Sequence, residues 1–113
     1  MFLQILKIFG GVATIATGVV SLFWPLKVPG FTGLEPNGGR GITEIRTILG
    51  ALFVALGAVV LFYRTPEAYM ILGVTYLGMA LVRGISIFVD RSAISSNIIS
   101  FFVELVFGIL LVL

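Results

Sequence analysis

Four ionisable residues stand inside long apolar runs of this 113-residue chain: Glu44, Arg46, Arg83 and Glu104. A charge at the centre of a bilayer costs at least ~3 kcal/mol, so a chain keeps one there only when it is paired or used. Two acids and two bases balance to zero formal charge. Paired, they tie helices together; unpaired, a carboxylate there takes up a proton or binds a cationic or headgroup ligand. Arg40, Asp90 and Arg91 lie close enough in sequence to sit at the edge of such a cluster. There is no cysteine and no histidine. This removes thiolate and disulfide chemistry, iron–sulfur ligation, the usual ligand of haem iron, copper and zinc, and the usual base near neutral pH. The residues therefore point away from an enzyme, with no catalytic residue and no metal ligand to name.

The elements that must position these charges are membrane spans. The chain is 59% hydrophobic and 11% charged with mean hydropathy +1.21, against roughly 25% charged residues in soluble domains. Its net charge of +2 does not make a nucleic-acid binder, because Lys7, Lys27, Arg40, Arg46, Arg64, Arg83 and Arg91 fall singly between apolar runs, as flanking charges at membrane edges do. We expect an all-α, four-helix transmembrane bundle forming a single integral membrane domain over 1–113, with spans at 2–24, 42–63, 68–89 and 97–113. Short hairpin connections join the later spans, and one longer loop, 25–41, joins the first two. That loop holds three prolines and five glycines, which argues against regular helix. The first span is too long for a signal-peptide core and is expected to be retained. Asn97 and the serines before it read as a polar turn rich in N-cap residues.

Small residues mark the faces that pack. Gly10, Thr14 and Gly18 recur at i, i+4, i+8 in the first span, letting a neighbouring backbone come close. In the second, Glu44, Thr47, Ala51, Ala55 and Ala58 define a small-sided face expected to look inward, with Arg46, Gly50 and Gly57 on the adjoining stripe. Glu44 and Arg46 are about 200° apart around a helix, so a direct pair between them is not expected. The third span carries Ala80, Arg83 and Gly84 on one side, and the fourth carries Ser100, Glu104 and Gly108.

Four spans alternate direction, which puts both termini on one side. All four charges then lie about 5–10 Å below the opposite side. Arg83 and Glu104, at matched depths on helices joined by a tight turn, are the expected ion pair. Glu44 and Arg46 complete the cluster, with Arg40, Asp90 and Arg91 capping it. The other half of the membrane holds only Lys7, expected to snorkel outward. Lys27, Arg40 and Arg91 against Lys7 and Arg64 tilt the long loop towards the cytoplasm. The cluster reads either as a structural network setting helix register or as a polar vestibule.

The segments GRGITEIRTILGALFVALGAVVLF, YLGMALVRGISIFVD and FFVELVFGILLVL resemble an uncharacterised, domain-of-unknown-function family of small bacterial four-span membrane proteins, distantly DoxX-like. The likeness covers most of residues 38–113 and rests on an NGR-like turn, here Asn37-Gly38-Gly39-Arg40 with one extra glycine, an EIR motif, Arg83-Gly84 followed by Asp90, and Glu104. It implies a multi-pass protein of a bacterial inner membrane and assigns no reaction. The chain also looks superficially like the small multidrug transporters, but their membrane-embedded first-helix glutamate has no counterpart here. The expected function is an accessory or structural subunit, packing with itself or with a larger membrane complex and holding lipid or a hydrophobic pigment or quinone in its small-residue grooves. The alternative is a small proton-coupled transporter or channel-like protein using Glu104 and Glu44. A polar path through the Lys7 half is what that alternative lacks.

Overall fold

The computed structural model describes residues 1–113, and every element in it is helical. We number the helices α1 (Phe2–Phe23), α2 (Pro29–Thr32), α3 (Gly38–Tyr63), α4 (Pro66–Val89) and α5 (Ser95–Val112). A single 3₁₀ turn, Pro25–Lys27, precedes α2. The four helices other than α2 are long and apolar enough to cross a membrane. In no span is more than 33% of the apolar stretch buried. The outward side chains are large and hydrophobic, Phe62 and Phe88 among them, and such a surface calls for lipid or another protein around it. Two compact units make up the chain: residues 8–63, and residues 1–7 with 64–113.

In the first unit, α1 and α3 meet glycine to backbone. A Cβ built on Gly18 would stand 2.7 Å from the Gly50 carbonyl oxygen and 2.7 Å from the Val54 amide nitrogen. One on Gly57 would stand 2.9 Å from the Gly11 carbonyl oxygen. Along α1, Thr14, Thr17 and Ser21 donate their hydroxyls to the carbonyls of Gly10, Ala13 and Thr17 at 2.8, 2.9 and 3.1 Å. Each spends its polar group inside its own helix, as an apolar surrounding requires.

Two expectations are corrected here. Loop 25–41 is partly helical: Pro25 and Pro29 take first-turn positions, where the missing N–H costs nothing, and α3 starts at Gly38, four residues before the expected 42. The alanine face of the second span also turns outward. Ala51, Ala55 and Ala58 are exposed with Glu44 and Thr47, while Ile45, Gly50, Gly57 and Val60 are buried. Glycine permits closer backbone approach than alanine, so its stripe takes the contact. Residues Ile45–Ala51 are moreover π-helical, with the Leu52 N–H donating to the Thr47 carbonyl five residues back. Wider turns of roughly 80° per residue shift the register that a uniform α-helix would keep.

In the second unit, α4 and α5 form an antiparallel hairpin. Thr65 caps α4, its hydroxyl accepting from the Ala68 N–H at 3.2 Å, followed by Pro66 and the acidic Glu67 in the first turn. Thr65→Ala should lower stability by about 1 kcal/mol, seen as a fall in thermal midpoint in detergent, and Thr65→Asp should restore it. Buried Tyr69, Leu72, Tyr76, Ala80 and Leu111 form the apolar core of this unit. Tyr76 and Phe107 meet edge to face at 5.8 Å. Helices approach closely where a Cβ on Gly73 would meet Leu111 and Val112, and one on Gly108 would meet Leu77.

Candidate functional site

The site is built at the closed end of the α4–α5 hairpin. After Val89 the chain reverses through Asp90 to Ile94, with Arg91 in the left-handed region at φ 52°. Ser92 donates its N–H to the Ile87 carbonyl at 3.1 Å. Ile94 takes the N-cap position, so the serines supply no side-chain cap. Asn97 does something else. Its amide nitrogen donates to the Ser92 carbonyl at 3.0 Å and to the Ser92 hydroxyl at 3.1 Å, which ties the turn to α5.

Asn97 also faces inward across the hairpin. Arg83 donates Nη1 to the Asn97 side-chain oxygen at 2.8 Å, and donates Nε and Nη2 to the two oxygens of Glu104 at 2.7 and 2.8 Å. This is a two-pronged guanidinium–carboxylate pair, short and charge-assisted. The Glu104 side chain is 7% exposed and that of Arg83 32%. The order Glu104–Arg83–Asn97–Ser92 therefore runs unbroken from mid-helix to the turn. A slide of α5 along α4 would break the Arg83 bonds to Glu104 and to Asn97 together, so the network sets the hairpin's register.

Of the four intramembrane charges, Arg83 and Glu104 lie in the second unit and Glu44 and Arg46 in the first. Glu44 is answered within α3 by Arg40, whose Nε stands 3.1 Å from Oε1, one helical turn away. Both are largely exposed, and such a pair contributes little to stability. Arg46 is exposed and makes no ion pair within its unit. Asp90 accepts from the Ser86 hydroxyl. Arg91 is exposed. Lys7, expected to point outward, is instead buried, with Nζ 5.4 Å from the centre of the Tyr69 ring. Asn97 and Ser92 are the members of this network that capping rules assigned elsewhere. The seven-residue spacing from Asn97 to Glu104, which repeats one helix face, is the signal that places them together.

Two grooves border this hairpin. One, of about 530 Å³, is lined by Gly78, Met79, Val82, Arg83, Ser86 and Asn97 and reaches the flank of Arg83. The other, of about 480 Å³, is almost wholly apolar and runs past Ala80, Gly84, Phe88 and Phe101. Its size and lining suit an acyl chain.

An all-helical chain with four spans of membrane-crossing length and a guanidinium–carboxylate clamp in one hairpin belongs to the class of small polytopic helical proteins. Residues 2–113 match the family model described as Domain of unknown function (DUF4345), and the chain is a member of that family. The match takes in α1 and the first connection as well as the stretch that carried the resemblance. Neither a curated protein nor a solved structure matches the chain.

Proposed function

We propose that this protein is an accessory or structural subunit of a membrane, a bacterial inner membrane by its DoxX-like resemblance, which packs with a larger membrane complex or with copies of itself and keeps lipid in its apolar groove. The observation that carries this reading is the closed Arg83–Glu104–Asn97 network. A carboxylate that loads and releases a proton needs a route to solvent and freedom from a permanent fork. Glu104 is buried behind Arg83 with both oxygens engaged. An arrangement of this kind fastens two helices. The exposed apolar flanks and the groove past Gly84 then supply surface for lipid or a partner span.

The groove along Arg83 and Ser86 is what favours the second reading, a proton-coupled carrier. It meets the base of the pair and not the acid, so it leaves the subunit reading ahead. Gentle extraction of the native protein followed by mass analysis of the intact assembly tests the two. Recovery in fixed stoichiometry with another membrane protein, or as a defined oligomer, is the expected result. A monomer in lipid vesicles whose proton flux disappears in Glu104→Gln overturns it.

A further inference from the structure

Tyr69 lies on α4 about 21 Å from Arg83 along the helix axis, in the first turns of the span. It is 1% exposed, and its hydroxyl is buried with no hydrogen-bond partner. The ammonium of Lys7, itself 6% exposed, rests 5.4 Å from the ring centre. A buried cation calls for an anion, and a ring face answers it only in part. The carboxylate nearest in sequence to Tyr69 is Glu67, which is exposed and about 200° away around the helix. Glu104 is held by Arg83. The second unit thus brings together a positive charge without a carboxylate and a hydroxyl donor without an acceptor. Lys7 falls in the second turn of α1 and Tyr69 in the first turn of α4, a depth at which a lysine stem reaches the headgroup layer.

We propose that Lys7 and the Tyr69 hydroxyl form a recognition site for the phosphate of an anionic phospholipid. The ammonium supplies the charge and the phenol supplies a directed hydrogen bond, the two donors a phosphate diester oxygen accepts. Four rotatable bonds let the lysine swing from the ring onto the phosphate. The acyl chains lie along the exposed apolar side chain beside Tyr69 on α4, Met70. A phosphate source other than lipid presents the same oxygens without chains, so the test separates the two. The inference does not depend on the accessory-subunit reading.

The full-length protein, stripped of lipid in a neutral detergent, is melted with phosphatidylglycerol, with phosphatidylcholine or with inorganic phosphate, and lipid adducts are weighed on the intact protein. Phosphatidylglycerol alone should raise the melting temperature and remain bound. Lys7→Met and Tyr69→Phe should each weaken its binding about tenfold, as loss of a hydrogen bond to a charged group does. Without lipid, Tyr69→Phe should melt no lower than the parent, because its hydroxyl satisfies nothing in the protein; this variant carries the test should Lys7→Met fail to fold. Equal stabilisation by phosphatidylcholine or inorganic phosphate, unchanged phosphatidylglycerol binding by Tyr69→Phe, or a lipid-free melting loss in that variant would each overturn the proposal.

Discussion

Arg83→Ala should cost the protein about 3–5 kcal/mol, the penalty for leaving a buried charge without its partner. Glu104 would lose both prongs of its fork, and Asn97 would lose the donor to its side-chain oxygen. The reverse change, Glu104→Ala, should cost less. Arg83 is the more exposed partner and borders a groove, so its guanidinium has somewhere to turn, whereas Glu104 has none. Replacing both residues by leucine should recover most of the loss, because it removes the two desolvation penalties with the bond. Reversible unfolding in detergent of the parent, both single variants and the double variant reads all three expectations. Equal melting of Arg83→Ala and the parent would show that the clamp does not hold the hairpin.

The second large effect is expected at Gly18. Its missing Cβ leaves room for the Gly50 carbonyl and the Val54 amide, and both are backbone atoms of α3. A side chain can rotate away from an intruding methyl, but a helix backbone moves only as a body. Gly18→Val should therefore cost about 3 kcal/mol, at the upper end of overpacking penalties. Gly78 is the control. A Cβ there meets nothing within 4 Å, so Gly78→Ala should be neutral or stabilise by up to about 1 kcal/mol, the helix-propensity gain. The same melting measurement compares them, and a Gly18→Val protein as stable as Gly78→Ala would exclude the close approach of α1 and α3.

The helices themselves were legible in the residues because length and apolarity are local properties. Unbroken apolar runs need every backbone group satisfied inside the segment, and only helices do that in a membrane. The span limits shifted by a few residues at the start of α3, α4 and α5, where glycine, proline and serine leave the first turn ambiguous. Arg83 opposite Glu104 was also within reach of reasoning, since two opposite charges at one depth on a tight hairpin have few other places to go. Asn97 was not assigned to them. An asparagine near a helix start satisfies capping rules equally well, and only the packed hairpin shows it turned towards Arg83.

Composition, charge count and the lack of histidine and cysteine by themselves determined an all-helical chain of four membrane-length spans and excluded the commonest metal and thiol chemistry. Tertiary structure alone decided which stripe of each span faces inward and which polar side chains join the Arg83–Glu104 pair. Alanine and glycine stripes lie side by side on α3, and the π-helical segment turns the register between them. Glu44 had Arg46 two residues away and Arg40 four, and the helix brings only the residue one turn away within reach. Lys7 was free on paper to reach the headgroups, yet packing holds it against Tyr69. Side-chain partners are chosen by angles around helices and by closest approach, and neither is a property of one residue and its neighbours in sequence.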